Sequence, residues 1–203
     1  MTNWNILADE AAIQKTATAL EANGIKVIII NSGQEAKAKV MELIPQGSEV
    51  MTMASQTLVG LGLVDEFNES GKYNSIKKKF ASMDPKKDQV EMSRLGAGPA
   101  FAVGSVHAVT EDGHVIVVSA TGSQLPAYAY SAMNVIWVVG AQKIVKNLDD
   151  GFKRIDEHVF PLEDVRALKV YGGHSGVNKT LIINKEVEPN RLTMIIVKEV
   201  LGF

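Results

Sequence analysis

The sequence contains no cysteine among its 203 residues. A chain without thiols cannot form disulfides, bind zinc through thiolates or hold an iron–sulfur cluster through cysteine ligands. A cysteine nucleophile is excluded for the same reason. We therefore expect the purified chain to hold neither iron nor acid-labile sulfide.

The sequence also lacks an excess of charge and a long apolar run. Its formal net charge is −2, which gives no electrostatic reason to expect nucleic acid or a membrane as a partner. No apolar run approaches the ~20 residues of a membrane span. The first 22 residues are polar and amphipathic, without the apolar core of a signal peptide, so we expect a cytoplasmic protein.

His114, His158 and His174 show no ligand spacing with a carboxylate, and we expect no metal and no cofactor.

Alternating helix and strand patterns dominate the chain. Short β-branched runs such as Ile25–Ile30 and Glu49–Met53 are separated by amphipathic segments of helical period, which is typical of a parallel sheet covered by helices. We predict one three-layer α/β/α domain over residues 1–203, with a mostly parallel sheet and an antiparallel hairpin portion. Residues 1–23 form an N-terminal helix in this prediction, and residues 68–100 form a polar, charged helical or loop insertion.

The stretch from Phe101 to Tyr130 contains the clearest local signals in the sequence. Phe101–Thr110 reads as one strand, Asp112–Gly113 as a two-residue type I′ turn, and Val115–Val118 as a buried central strand. A glycine-containing turn then leads into a helix with Pro126 in its first turn. Val135–Val139 is predicted to be a second central strand of the sheet.

The turn after the Val115 strand is the best candidate for a ligand site. A helix N-terminus presents free amides and a partial positive charge, and glycine allows a close approach of the backbone. Polar side chains at neighbouring strand ends are expected at the same edge of the sheet. The predicted anion-binding residues are Thr121, Gly122, Ser123, Gln124, Thr52, Ser55 and Lys143. Each residue also has an interpretation without ligand binding, as a self-capping turn residue or, for Lys143, as a surface lysine.

Two residues are candidates for catalysis. Glu111 at the predicted hairpin tip could act as a nucleophile or an acid–base group, and His107 could act as a general base. The alternative for Glu111 is a solvated side chain beside a turn chosen for its geometry. The alternative for His107 is a strand histidine held by hydrogen bonds.

Several segments together resemble a known family, the LUD domain of lactate-utilisation protein C. They are Gly104–Gly113, Ser119–Tyr128, Val138–Ile144, His158–Asp164, Val177–Lys179 and Glu199–Phe203. The resemblance implies the superfold of ribose-phosphate isomerase, aminosugar-phosphate deaminase and the CoA transferases, in which ligands lie at the carboxyl ends of the strands. The chain departs from many relatives in one turn, where Gly113 is followed by His114 and not by threonine.

The resemblance implies an association with bacterial lactate utilisation. Our first hypothesis is a domain that binds a small anionic metabolite, either a carboxylate, a phosphate or a CoA ester, with or without catalysis. The alternative is a non-catalytic subunit or regulator that supports a lactate-oxidising complex. In that case iron–sulfur lactate-utilisation proteins would be its partners, since this chain has no cysteine. A third hypothesis, an isomerase acting on a sugar phosphate, rests on fold analogy alone.

Overall fold

The computed structural model describes residues 3–203, which form ten strands and eight α-helices. The strands are β1 Lys26–Ile30, β2 Glu49–Thr52, β3 Asn74–Ser75, β4 Phe101–Gly104, β5 Ala108–Thr110, β6 Val115–Ser119, β7 Asn134–Gly140, β8 Ile144–Val145, β9 Lys179–Ile183 and β10 Leu192–Val197. The helices are α1 Glu10–Ala22, α2 Gly33–Leu43, α3 Gln56–Gly60, α4 Leu63–Glu69, α5 Ile76–Ala81, α6 Gln89–Ala97, α7 Leu148–Arg154 and α8 Phe160–Tyr171. Among these residues, no helix has the length and apolar character needed to cross a bilayer.

Six strands form the main sheet in the order β1-β10-β7-β4-β2-β3, and every pair in it is parallel. Alternate residues of β7 face two separate cores: Val135 and Trp137 face one, and Ile136 and Val138 face the other. A sheet with an apolar core on each face must be covered on both faces. The predicted three-layer α/β/α architecture is confirmed, and Val135–Val139 is buried near the centre of the sheet as expected.

The antiparallel part forms a second sheet of its own. Its strands run in the order β8-β5-β6-β9, with β6 antiparallel to both neighbours. Val115–Val118 is buried in the interior of this sheet, so its burial was predicted correctly but its place in the main sheet was not. Val117 packs towards the larger core, whereas Ile116 and Val118 face a third cluster with Ile155 and Val159.

The chain changes sheets between β4 and β5, and the prediction of one continuous strand over Phe101–Thr110 is wrong. β4 is held between β2 and β7, while β5 pairs with β6 and β8. Gly104 ends β4 at a point where an added Cβ would lie 1.7 Å from the Tyr128 hydroxyl oxygen. The change of sheet leaves Ser105, Val106 and His107 outside either ladder.

The hairpin turn also differs from the prediction. Gly113 has a φ of +86°, whereas Asn190 is the only non-glycine with positive φ in the described part of the chain. A type I′ turn needs positive φ at both central residues, and Asp112 does not supply it. The Gly113 N–H donates to Thr110 O, and the Thr110 hydroxyl donates to the Asp112 carboxylate. Asp112 is therefore stabilised by a side-chain contact in a turn that ends with a left-handed glycine.

The helix predicted to contain Pro126 differs as well. After the Gly122 turn, a single π-helical turn at Ala127–Ser131 replaces the expected helix. The buried guanidinium of Arg191 donates to Ala127 O, Tyr128 O and Ala132 O, which satisfies carbonyls that a longer helix would have used itself. Further along, α7, a π-helical turn at Ile155–Val159 and α8 follow one another without a gap, so the chain is helical from Leu148 to Tyr171 and Pro161 does not break it.

Val117→Ala should lower the free energy of unfolding by about 1–3 kcal/mol, because the valine is fully buried between the two sheets and would leave a cavity. Asp112→Ala should cost less, since it removes one turn contact and an exposed charge. Urea unfolding of the two variants shows which substitution lowers the free energy of unfolding more. A larger loss for Asp112→Ala would mean that the turn, and not the core, limits the stability of the second sheet.

Candidate functional site

A cleft of about 680 Å³ opens between the carboxyl ends of main-sheet strands and the second sheet. Thr52 ends β2, Ser105 follows β4 and Ser119 ends β6, so three strand ends converge on it. Its other wall comes from α8 and the loop after it. The polar residues that line it include Thr52, Ser55, Ser105, His107, Ser119, Thr121, Ser123, Gln124, Lys143, Glu163, Arg166 and His174.

Lys143 lies at the floor of this cleft. β7 ends at Gly140 and passes into a single 3₁₀ turn, Ala141–Lys143, which directs the lysine back under the strand ends. The residue is only 2% exposed, so its interpretation as a surface lysine is wrong. Its Nζ lies 3.1 Å from Ser105 Oγ, 3.2 Å from Thr57 Oγ1 and 3.2 Å from Val106 O.

A second buried cation, Arg154, lies beside this floor. It ends α7 with no exposed surface, and its Nη1 donates to His107 O at 2.6 Å. Its Nε and Nη2 have no hydrogen-bond partner within the described residues. No carboxylate of residues 3–203 forms an ion pair with either Arg154 or Lys143, since the ion pairs there involve other cations.

Burial and mutual repulsion shift the pKa values of this cluster. Loss of solvation, with a contribution from the nearby Arg154, lowers the pKa of Lys143 from 10.5 to about 7. Loss of solvation lowers the pKa of Arg154 to about 10, which leaves it charged at neutral pH. We call Lys143, which lines the cleft, and the fully buried Arg154 next to it the cationic floor. Arg154 acts on the cleft through its charge, and Lys143 can gain or lose its proton near neutral pH.

His107 faces the same cleft from the break between the two sheets. Burial, followed by the positive charges of Lys143 and Arg154, lowers its pKa to about 3. Its Nδ1 accepts a hydrogen bond from the backbone N–H of Val118 at 3.1 Å. The neutral ring therefore carries its proton on Nε2, where it is a hydrogen-bond donor. This geometry favours a donor over a general base, and the catalytic role of His107 stays a prediction.

Most of the other predicted site residues meet at this cleft. Thr52 and Ser55 line one wall, and Thr121, Ser123 and Gln124 line another. Ser55 caps α3 as expected, accepting from Leu58 N at 3.4 Å. The hydroxyl of Thr52 bonds to the Asn68 side chain, with Asn68 Nδ2 at 3.1 Å.

Gly122 and its turn are less open than expected. The side chain of Lys179 lies across the glycine, with its Cδ 2.6 Å from the position of an added Cβ, and its Nζ donates to Thr121 O. The amide of Gly122 donates to Ser119 Oγ, and that of Ser123 donates to Thr121 Oγ1. Because these amides are already used and only one helical turn follows, the turn offers less positive potential than a full helix would.

Glu111 lies outside the cleft. It stands at the hairpin tip and forms an ion pair with Lys15 of α1 at 2.8 Å. The structure therefore does not bring Glu111 together with the other predicted site residues. Its catalytic role stays a prediction.

Three residues that the structure adds to the site are Ser105, Thr57 and Arg154. Ser105 directly follows Gly104, and the Gly-Ser pair before His107 was the available signal that a strand ends there. Thr57 is hidden in the first turn of a capped helix, and its hydroxyl donates to Leu201 O at 3.1 Å. Arg154 has the sequence pattern of an exposed residue in the last turn of a helix, so nothing local indicates that it is buried.

Comparisons with known proteins agree with this architecture. A DUF162 family protein from Deinococcus radiodurans has a similar crystal structure, with a TM-score of 0.56 at 12% sequence identity. The match covers 95% of this chain and 99% of that one. At this level of identity the similarity supports the fold alone. No curated protein matches the sequence.

The family is decided by the sequence profile. The model of the LUD domain matches residues 13–197, which include both sheets and every residue of the cationic floor. The match extends over far more than half of the chain, and the resemblance predicted from the motifs is confirmed. The chain belongs to the LUD domain family.

Proposed function

We propose that the protein binds a small anionic metabolite in the cleft, with the anionic group above Lys143. The observation that supports this most is the pair of buried cations, Lys143 and Arg154, with no ion-paired carboxylate within residues 3–203. Buried charges in proteins are normally paired, because an unpaired charge in a poorly solvated site costs several kcal/mol. A bound carboxylate, phosphate or CoA ester would provide the missing negative charge.

A purely structural role would explain only part of the cluster. The three oxygens around Lys143 Nζ satisfy an ammonium group geometrically, but all three are neutral. In addition, Nε and Nη2 of Arg154 have no hydrogen-bond partner within the described residues. A structural lysine would also have no need of an open cleft beside it, whereas Lys143 lines one.

The rest of the cleft wall fits an anionic ligand. The carboxylate of Glu163, which also lines the cleft, is paired with Arg166 through two hydrogen bonds of 2.7 Å. Its negative charge is therefore already balanced. His107 supplies a neutral N–H donor, and the hydroxyls of Ser55, Thr121 and Ser123 supply further donors along the walls. Within the LUD family, a context of bacterial lactate utilisation makes lactate and related acids, and their CoA esters, the first ligands to test.

Titration calorimetry with lactate, inorganic phosphate and acetyl-coenzyme A tests this proposal. We expect at least one of them to bind, and Lys143→Met to weaken its binding at least about tenfold, equivalent to ~1.4 kcal/mol. Lys146→Met is the matched control, since Lys146 is an exposed lysine three residues away. We expect binding in the parent to weaken as pH rises through about 7, where Lys143 loses its proton. Equal affinities in the two variants would contradict the proposal.

A second candidate function is a non-catalytic subunit of a lactate-oxidising complex, with iron–sulfur proteins as partners. One observation favours it: Leu162, Val165, Leu168 and Tyr171 of α8 are each at least 40% exposed. Exposed apolar patches of this kind often mark protein contacts. If none of the three ligands binds and a double substitution Val165→Glu, Leu168→Glu disrupts a complex with those proteins, this second function is the better one.

A further inference from the structure

We propose that Ser105 is a nucleophile activated by Lys143, and that the cleft transfers the acyl group of an ester or thioester through a covalent seryl intermediate. This inference rests on the proposed function, because the cleft would hold the anionic part of such a substrate, and the positive charge of Arg154 remains when Lys143 is neutral. It assigns the reacting atoms, which the binding proposal leaves open.

The hydrogen bonds around Lys143 Nζ determine where its lone pair points. Val106 O can only accept, so one N–H of the lysine is directed at it. The Thr57 hydroxyl lies 3.1 Å from Leu201 O and 3.4 Å from Ser105 Oγ, and we assign its proton to the shorter bond. Thr57 Oγ1 then accepts a second N–H of the lysine. A neutral lysine has no third N–H. In the charged state Nζ donates to Ser105 Oγ at 3.1 Å. In the neutral state this is the position left for the lone pair, so the Ser105 hydroxyl would donate to Nζ.

Ser105 is also the serine with access to both a base and the cleft. Thr57 contacts Lys143 but does not line the cleft, and its proton is committed to Leu201 O. Ser55 and Ser119 line the cleft but accept backbone N–H bonds, and Ser123 bonds to Thr121. Of the cleft serines in the described chain, only Ser105 lies within hydrogen-bond distance of a basic nitrogen that can be neutral near pH 7. A positioned base next to a hydroxyl is the arrangement that nucleophilic catalysis requires.

The proposed step balances without an oxidant or a further co-reactant. Ser105 Oγ attacks the acyl carbon while its proton passes to Lys143 Nζ, and the bond between the acyl carbon and the leaving oxygen or sulfur breaks. The lysine returns the proton to the leaving group, which departs as an alcohol or thiol. The seryl ester is then cleaved by water or by a second carboxylate, alcohol or thiol, with Lys143 as the base for the incoming group.

Two acyl donors test the nucleophile and the anion site separately. p-Nitrophenyl acetate has no anionic group and reports the nucleophile, whereas acetyl-coenzyme A also needs the cationic floor. We expect each to leave an acetyl group on Ser105, located by peptide mass spectrometry. Ser105→Ala should abolish that adduct, and Ser105→Cys should restore an adduct at the same position. Ser93→Ala is the matched control, because Ser93 is exposed on α6 and remote from the cleft in sequence and fold.

The role of Lys143 is tested by the pH profile. In the parent, acetylation of Ser105 by p-nitrophenyl acetate, which does not depend on the anion site, should accelerate as pH rises through about 7. Lys143→Met should lower the rate about 100-fold or more and remove this rise, and Lys143→Arg should not restore it. If the lysine had only a structural role, its replacement would leave the pH profile unchanged.

An adduct on Lys143 in preference to Ser105, or no adduct on a protein that circular dichroism shows to be folded, would overturn the inference. Calorimetric binding of lactate or phosphate in that case would leave the anion-binding proposal intact.

Discussion

Replacing Lys143 with methionine should stabilise the protein while it weakens anion binding. The lysine is buried next to Arg154, and no carboxylate of the described residues pairs with it. Exchanging even a buried ion pair for apolar side chains of similar volume is often neutral or stabilising by about 1–4 kcal/mol, and Lys143 has no carboxylate partner to offset its desolvation. We expect a gain in this range, reduced by the loss of the hydrogen bond to Val106 O.

The gain should depend on pH with a definite sign. The folded-state pKa of Lys143, about 7, lies below its ordinary value of 10.5. Between these two values the unfolded chain binds more protons, so the parent becomes more stable as pH rises, and below about 7 the penalty of the buried charge is fully present. Urea unfolding should therefore show a larger stabilisation by Lys143→Met at about pH 6 than at about pH 9. Lys146→Met should change little at either pH, and a loss of stability in Lys143→Met that is independent of pH would show that the lysine is a structural ammonium.

Gly104→Ala should destabilise the protein by about 2–3 kcal/mol, because an added methyl group must displace a buried ring. The new Cβ would lie 1.7 Å from the hydroxyl oxygen of Tyr128. That ring is fully buried and packs edge-on against Trp137, with 5.4 Å between the ring centroids, so it has little room to move. The shift would also reach Ser105, the next residue, and should reduce ligand binding in the cleft.

A second substitution identifies the cause. The Tyr128 hydroxyl has no hydrogen-bond partner in the described structure, so Tyr128→Phe alone should stay within about 1 kcal/mol of the parent. In the double variant, removal of the hydroxyl makes space for the alanine, and most of the loss should be recovered. Urea unfolding of all four proteins completes the cycle. Additive effects would mean that Gly104 is needed for its backbone conformation and not for the space beside Tyr128.

The sequence was sufficient for the elements that depend on local patterns. β-branched runs indicated buried strands, and Ser55 could be interpreted as a capping residue, which it is through its contact with Leu58 N. Lys143, Thr52 and Ser55 could be assigned to one edge because parallel strands end on the same side of a sheet. These inferences need only the residue order and the period of each element.

The features that failed depend on contacts between distant segments. The break at Ser105 arises because β4 and β5 pair with different sheets, which a continuous β-prone run does not reveal. The helix expected after Pro126 is shortened where Arg191, more than sixty residues away, satisfies its carbonyls. Arg154 has no exposed surface and donates to His107 O, 47 residues away in the chain. In each case a long-range contact outweighs a local preference.

Coupling between anion binding and protonation of Lys143 is the most direct test of the cationic floor. Binding of lactate or acetyl-coenzyme A is measured by calorimetry at about pH 8 in two buffers of different ionisation enthalpy, which gives the number of protons taken up. Because an anion above Lys143 raises its pKa from about 7, the account predicts uptake of up to about one proton per ligand bound, and none in Lys143→Met with whatever binding remains. Binding without proton uptake, or the same uptake in Lys143→Met, would contradict it.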